Sequence, residues 1–188
     1  MKLVIYDDQY KVRNVIEGAE SYTVEPVSPD RRNIKINDGF HSYRETLWRC
    51  LEVDDSYVVN IGDTIDSNLV LEQRKKEKIA ELKEACNETI LAGFYCSATG
   101  HYYGFNQLDR INFTEQYVRL IADPNIESVN WETEDAGVIT HTRDEFFSVC
   151  DAADAHKRAN MEQYWKLKAD VEAATTIEEV DSIHWSPA

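Results

Sequence analysis

One stretch decides the fold of this chain: RKKEKIAELKEACNETILAGF, from Arg74 to Phe94. Its apolar residues recur at steps of three and four, which places them on one face of a helix. They are Ile79, Leu82, Cys86 and Ile90. Lysines and glutamates fill the other face, and Gly93 supplies the left-handed residue that commonly ends a helix. The stretch therefore predicts an amphipathic helix whose apolar side needs a partner elsewhere in the chain.

Residues 1–66 have the pattern of β structure. Short β-branched and aromatic runs alternate with turn residues, which is typical of antiparallel hairpins. The predicted strands are Leu3–Tyr6, Tyr10–Ile16, Tyr22–Val24, Asn33–Ile36, Leu47–Val53 and Tyr57–Val59. The apolar period changes from that of a strand to that of a helix between about Asp66 and Leu71. We place the domain boundary there, which gives an N-terminal β module over 1–66 and a second module over 67–188.

Helices and hairpins alternate in the second module. Thr142 and Glu145 have the spacing of a capping box, as do Thr176 and Glu179, so a helix is expected to begin at each site. The predicted elements are a hairpin over Tyr95–Phe105, a helix over Leu108–Ala122, a hairpin over Ser128–Thr140, a helix over Arg143–Ala174 and a last short helix. The polar middle of the long helix, Asp154–Asn160, suggests a break or an exposed stretch. We expect an α+β fold, with an N-terminal antiparallel β module followed by a helical module of two long helices with inserted β-hairpins.

The composition excludes several classes of partner. The formal net charge is −15 at pH 7, and both halves of the chain are acidic. A surface this negative repels phosphates and no basic stripe offsets it, so we expect no nucleic-acid partner. No apolar run approaches the ~18 residues of a membrane span, and the run after Met1 is too short for a signal peptide. We therefore expect no membrane insertion.

The cysteines indicate a reducing environment. Cys50, Cys86, Cys96 and Cys150 show no paired spacing. Without a signal peptide this pattern predicts free thiols in a chain made in a cytosol, and it argues against a zinc site.

Candidate catalytic and metal-binding residues each have an ordinary structural explanation. His101, Ser97 and Asp109 are the residue types of a hydrolase triad, but no G-x-S-x-G turn surrounds Ser97 and packing within a hairpin is favoured. Three acidic pairs could ligate Ca²⁺, but adjacent acids in turns usually face water. They are Asp7-Asp8, Asp54-Asp55 and Glu134-Asp135. We assign no catalytic, cofactor-binding or metal-binding residues, and we expect a protein that is not an enzyme and uses no cofactor.

Aromatic and basic clusters are also interpreted structurally. The aromatic residues could line a ligand site, but their helical spacing favours a core. They are Trp131, Trp165, Trp185, Tyr164, Phe146 and Phe147. Lys75-Lys76-Glu77-Lys78 is a short basic run mixed with glutamate, which predicts a solvated helix face.

An ordered set of segments between residues 72 and 185 is more specific than any of these motifs. The segments are Lys83–Phe94, Tyr102-Tyr103, Asp109-Arg110-Ile111-Asn112, Val129–Trp131, His141–Phe146, Leu167–Thr176 and Val180–Trp185. In them the chain resembles a domain of unknown function that recurs in tail-fibre and baseplate gene neighbourhoods of bacteriophages and prophages. That family more usually shows Asp-Gln-Asn where this chain has Asp109–Asn112. The opening Met1–Tyr6 also looks like small proteins encoded at the end of phage tail modules.

The resemblance implies a structural virion protein of the phage tail, at the tail tip, baseplate or fibre. Its expected partners are other tail proteins and its own copies, with a trimer as the expected oligomer, and its expected location is the virion after synthesis in the host cytoplasm. Apolar faces left open by the helices would then be buried between subunits. Two alternatives stay open. One is a tail-fibre assembly chaperone that is not retained in the virion, and the other is a small hydrolase or a carbohydrate-binding module for the host cell wall.

Overall fold

The computed structural model describes residues 1–28, 31–37, 39–44 and 49–186 of the 188-residue chain. The chain divides into two compact units, Met1–Glu77 and Lys78–Ala188, which are described separately below. The α+β class is confirmed, with antiparallel strands first and a helical region with small hairpins after them. The division between the units falls inside the first helix, whereas the change of apolar period near Asp66 marks the beginning of that helix.

The first unit is built on antiparallel strands. Its strands are β1 (Lys2–Tyr6), β2 (Val12–Ile16), β3 (Tyr22–Ser28), β4 (Arg31–Ile36), β5 (Gly39–Arg44) and β6 (Arg49–Val53). Among the described residues they form two three-stranded sheets, in the orders β2-β1-β6 and β3-β4-β5. All five residues of β1 are buried. Leu3 and Ile5 of β1 pack in one apolar cluster with Ile34 and Ile36 of β4, so both sheets contribute to the core of this unit.

The predicted strand over Tyr57–Val59 is wrong. After β6 the Asp54 carboxylate accepts hydrogen bonds from the backbone and hydroxyl of Ser56, and the Tyr57 N–H donates to the Asp54 carbonyl at 2.9 Å. These bonds close a turn that takes the chain out of the sheet, because aspartate competes well for local backbone donors. The first residues of the predicted strand Leu47–Val53, Leu47 and Trp48, lie outside the described residues.

The second unit alternates helices and hairpins as expected. Its elements are the C-terminal part of α1 (Ser67–Leu91), β7 (Phe94–Cys96), β8 (His101–Tyr103), α2 (Gln107–Ala122), β9 (Ser128–Thr133), β10 (Gly137–Thr142), α3 (Arg143–Ala173) and α4 (Ile177–Ser182). Helix α1 begins earlier than the predicted Arg74, because the Asp66 carboxylate accepts from the Asn68 N–H at 2.9 Å and caps the first turn. Strands β7 and β8 pair with each other, as do β9 and β10.

The apolar side of α1 packs against α3. Cys86 and Ile90 belong to one buried cluster with Val149 and Ala153 of α3. The Cys86 Sγ lies 3.5 Å from the carbonyl oxygen of Asn160, also on α3. Both hairpins and α2 also contribute to this cluster, so the C-terminal half of the predicted stripe, Cys86 and Ile90, forms one side of the main core.

Helix α3 continues through its polar middle, so the suggested break over Asp154–Asn160 is wrong, whereas the suggested exposure is confirmed for all of these residues except His156 and Asn160. Ala153, His156 and Asn160 follow each other at steps of three and four and turn inward, where Asn160 is almost fully buried. Its side-chain amide donates to the His156 carbonyl at 2.9 Å. The charged residues between them stay exposed, and Arg158 pairs with Asp154 one turn earlier. A polar stretch can therefore still be amphipathic when its small and amide-bearing residues share one face.

Capping boxes begin α2, α3 and α4 in the described part of the chain. The predicted boxes at Thr142 and Thr176 are confirmed, and a third joins Asn106 to Asp109. The Thr142 backbone N–H and hydroxyl both donate to Glu145, and these hydrogen bonds hold the pKa of that carboxyl below its ordinary value. The backbone and hydroxyl of Thr175 and the backbone of Thr176 lower the pKa of Glu179 in the same way.

These caps predict a loss of stability in acid. Because the folded-state pKa values of Glu145 and Glu179 lie below the unfolded value of about 4.3, their contribution is present above that pH and is lost as the pH falls through the folded values. The free energy of unfolding in urea, measured between pH 6 and pH 3, should therefore decrease as the pH falls. The variant carrying Glu145→Gln and Glu179→Gln keeps a capping acceptor and should show a weaker pH dependence. If the pH dependence of stability is the same in that variant, the two capping carboxylates are not its cause.

Candidate functional site

Helix α2 carries apolar residues on two opposite sides. Phe113 and Leu120 are buried in the main cluster. The other side, which we call the outer face, consists of Leu108, Ile111, Val118 and Ile121, which are 63, 49, 57 and 59 % exposed. Single exposed apolar residues are ordinary in a folded protein, whereas a stripe of them along one helix is less common.

The helical period of the sequence predicts that Ile111, Val118 and Ile121 lie on one side of this helix, and the structure confirms it. The period did not show that the core contact comes from the opposite side. Phe113 and Leu120 were missed because they are only two residues, whereas the opposite side of the helix carries more apolar residues and so looks like the core face.

Both ends of α2 are fixed by polar contacts. At its beginning the Asn106 side chain accepts from the N–H groups of Leu108 and Asp109, and Asp109 Oδ2 accepts from the Asn106 N–H at 2.9 Å. These bonds satisfy donors that a helix otherwise leaves open in its first turn. The outer face is therefore presented on a helix that is already ordered.

Arg143, the first residue of α3, holds the end of α2. Its guanidinium donates to the Leu120 carbonyl at 2.5 Å and to the carbonyls of Asp123 and Ile126 at 3.1 and 3.3 Å. It also lies 5.2 Å from the centre of the Phe147 ring. A positive charge is favourable at the carbonyl end of a helix. Sequence reasoning missed this role, because nothing local marks an arginine that caps another helix.

A groove of about 930 Å³ runs beside the outer face, between α2 and α3. Its apolar lining includes Leu91, Phe105, Ile111, Tyr117 and Cys150. Burial raises the pKa of the Cys150 thiol to about 12, so this thiol stays protonated and behaves as a small apolar group. The groove extends the apolar surface of α2 toward α3.

A polar cleft of about 530 Å³ lies where α2 meets the second hairpin. Its walls combine one indole with amides and carboxylates: Trp131, Asn112, Asn130, Asp109, Glu132 and Glu134. The Thr140 hydroxyl donates to Asn130 Oδ1 at 2.7 Å, which orients that amide. Two of the landmark segments, Asp109–Asn112 and Val129–Trp131, are remote from each other along the chain and meet at this cleft.

Gly104 lines this cleft, and two carboxylates approach it closely. A Cβ atom at Gly104 would lie 2.7 Å from Glu134 Oε1 and 2.9 Å from Asp109 Oδ2. Any side chain would displace one of them. The convergence of Asp109 and Glu134 was missed, because these residues lie on α2 and on the turn of the second hairpin and no sequence pattern links them.

The residues of the suggested hydrolase trio do not come together. His101 Nδ1 lies 3.2 Å from Asp135 Oδ2, and the Tyr102 N–H donates to the other oxygen of the same carboxylate. The Glu134 N–H also donates to the Tyr102 carbonyl at 2.9 Å. His101 thus joins the two hairpins, whereas Asp109 caps α2 and Ser97 is exposed in the turn after β7.

A second histidine is part of a buried hydrogen-bonded chain. His141 Nε2 lies 3.3 Å from the Tyr103 hydroxyl, which in turn lies 2.8 Å from the Thr99 hydroxyl. Burial lowers the pKa of His141 and raises that of Tyr103, so both are neutral near pH 7. Both side chains are almost fully inaccessible, so the chain links the hairpins inside the core and is closed to a substrate.

Most of the candidate aromatic residues pack in or against the core. Trp131 contacts the rings of Phe113 and Phe146 at centroid distances of 4.6 and 4.9 Å, and only part of its indole reaches the cleft. Trp185 donates to the Thr89 hydroxyl at 2.9 Å. Trp165 is the exception and is 56 % exposed on α3.

The charged candidates are engaged locally. Asp7 is buried and its carboxylate receives the Arg13 guanidinium, while Asp54 closes the turn after β6. Among the described residues no group of three or more His, Cys, Asp or Glu side chains is arranged to hold a metal ion. The predicted solvated helix face at Lys75–Lys78 is wrong for Lys78, which is buried with its ammonium 2.9 Å from Glu81. Its long stem can cover apolar surface while its charge is paired.

Fold and surface together define an acidic α+β protein with an ordered helix whose outer face is apolar and open. The chain belongs to the family described as a domain of unknown function, DUF4376, whose profile matches residues 73–184, more than half of its length. Comparison with curated proteins gave no match, and comparison with solved structures gave none. In the part of the chain that the structure describes, no helix has the length and apolar character needed to cross a bilayer.

Proposed function

We propose that this chain is a structural component of a bacteriophage tail, at the tail tip, baseplate or fibre, and that it acts by protein–protein assembly. The single observation that carries the proposal is the outer face of α2, where four large apolar side chains are exposed on one side of a helix. Such a surface gains free energy when another protein covers it. The assignment to a phage tail rests on the family resemblance of residues 72–185, which suggests the kind of assembly that the chain joins.

The location of the protein tests this proposal. Mass spectrometry of gradient-purified phage particles, produced from a host that carries the gene, should detect the chain together with known tail proteins. A chain that is abundant in the producing cells but missing from particles would overturn a virion role and favour the assembly chaperone.

Incorporation should depend on the outer face. The variant carrying Ile111→Asp and Val118→Asp places two charges on that face and should be lost from particles. The matched control is Val138→Asp, because Val138 is 68 % exposed on β10 and lies outside the outer face. Equal incorporation of both variants would show that the outer face is not used.

A carbohydrate-binding role is a second candidate, and the cleft beside Trp131 favours it. Sugar rings pack their C–H faces on indoles and offer hydroxyls to amides and carboxylates, and the cleft presents all three groups. Its carboxylates would select neutral over acidic saccharides, since like charges repel.

Amide substitutions in the cleft should weaken this binding. If the role is correct, Asn112→Ala or Asn130→Ala should reduce binding of a neutral host-wall polysaccharide by about tenfold, because each removes a hydrogen-bonding group. Asn87→Ala, on the exposed side of α1, should bind like the parent protein. Isothermal titration with the purified polysaccharide measures the difference. Equal affinity in all variants would remove this candidate.

A further inference from the structure

The outer face of α2 fits a heptad pattern in which every interfacial position is exposed. With Ile111 and Val118 at the a positions, the d positions hold Gln107, Thr114 and Ile121. The e positions hold Leu108, Glu115 and Ala122, and the g positions hold Arg110 and Tyr117. All of these residues are exposed, whereas Phe113 and Leu120, both at c, are buried. Positions a and c are about 200° apart around a helix, so the seam points away from the core.

We propose that α2 joins three copies of this chain side by side as a short parallel coiled coil. The inference rests on the proposed function, because it names the partner that covers the outer face. The partner is a second and a third copy of the same helix.

Charge complementarity selects the parallel orientation. In a parallel coiled coil a g residue faces the e residue five positions later on the neighbouring chain, which pairs Arg110 with Glu115 of the next copy. An antiparallel arrangement that matches the same apolar residues would bring Glu115 close to Glu115 of the other copy, where like charges repel. Within the described ranges neither side chain has an ion-pair partner in its own chain, and the Arg110 guanidinium lies 5.8 Å from the centre of the Phe105 ring.

The shapes of the seam residues select the number of copies. Ile111, Thr114, Val118 and Ile121 are all β-branched. Two-stranded coiled coils favour β-branched residues at a with leucine at d, whereas β-branched residues at both positions shift the preference to higher orders. A trimer is the smallest assembly with more than two helices, so it is the smallest one that fits these side chains. A cyclic arrangement of three also closes without leaving an open apolar edge.

The helix is ordered before it associates. An isolated helix of 16 residues is marginal in water, because forming its first turn is costly. Here the Asn106 cap and the Arg143 guanidinium fix both ends, and Phe113 and Leu120 anchor one side in the core. Association therefore orders few additional groups, so a seam of about two heptads is long enough to be effective.

Charge exchange between Arg110 and Glu115 tests the orientation. Sedimentation equilibrium of the full chain should give a trimer at tens of micromolar. Arg110→Glu alone and Glu115→Arg alone should each weaken association about tenfold, because each places like charges at three contacts. The double variant exchanges the two charges and should return to the parent affinity. Failure of the double variant to recover, or a monomeric parent protein, would overturn the proposal.

Leucine substitutions at the d positions test the number of copies. The variant carrying Thr114→Leu and Ile121→Leu leaves β-branched residues at a only and should shift the assembly from three chains to two. Circular dichroism should show that all variants are folded, since every changed side chain is exposed. A parent dimer, or a trimer unaffected by leucine, would contradict the role of these side chains.

The proposed function fails separately from this inference. A monomeric chain that is present in phage particles would reject the trimer and keep the tail role. A chain that forms the charge-dependent trimer but is missing from particles would keep the trimer and reject the virion role.

Discussion

Replacing Phe146 by alanine is expected to destabilise the second unit by about 3–5 kcal/mol, the usual range for removing a buried phenylalanine. Its side chain is fully buried near the beginning of α3. The ring lies 4.9 Å from that of Trp131, 5.9 Å from that of Phe113 and 6.4 Å from that of His141, measured between centroids. Helices α2 and α3 and the second hairpin meet at this ring, so the cavity cannot close by a shift of one element.

Urea unfolding followed by near-ultraviolet circular dichroism measures the loss. Trp165→Ala is the matched control, because Trp165 is also an aromatic residue of α3 but is 56 % exposed. Exposed substitutions usually change stability by at most ~0.5 kcal/mol. A similar loss in both variants would show that the effect comes from the helix rather than from the core.

Replacing Gly93 by alanine is expected to cost more than 2 kcal/mol, for two reasons. Its φ angle is +97°, a conformation that L-residues avoid at a cost of about 1–2 kcal/mol. A Cβ atom there would also clash with the Tyr103 carbonyl oxygen, which belongs to the backbone of strand β8 and cannot rotate away. The residue that ends α1 must therefore be glycine for the first hairpin to pack close to the helix.

Gly137→Ala is the matched control for Gly93. Gly137 also has a positive φ angle, +71°, but a Cβ atom there would meet no heavy atom within 4 Å. The control should show the conformational cost alone, about 1–2 kcal/mol. The difference between the two variants in thermal or urea unfolding measures the steric part. Equal losses would mean that β8 moves to accept the methyl group.

Local patterns in the sequence were sufficient for most elements of the second unit. The apolar stripe of α1, the hairpin over Tyr95–Phe105 and the capping boxes at Thr142 and Thr176 each depend on neighbouring residues, and each appears in the structure. The wrong strand at Tyr57–Val59 shows the limit of this approach. Its β-branched residues fit a strand, but the side chain of Asp54 makes a competing turn.

The candidate sites were harder to predict because they depend on contacts between remote residues. The helical period shows that Ile111 and Val118 share a side, but the position of the core determines whether that side is open. Asp109 and Glu134 meet at Gly104, and Asp135 meets His101, only after two hairpins and α2 have packed together. No residue spacing in a single sequence predicts contacts between side chains that lie so far apart along the chain.

Each unit contains at least one buried cysteine, and alkylation of that cysteine can report when the unit opens. Cys50 is buried in the first unit, Cys86 and Cys96 are buried in the second, and burial raises the pKa of Cys86 and Cys150. Alkylating reagents attack the thiolate, so modification has to wait until a unit opens. The rate at which Cys50 is alkylated would therefore follow opening of the first unit, and the rate at Cys86 would follow opening of the second. Peptide mapping of one reaction would give both rates without any engineered label.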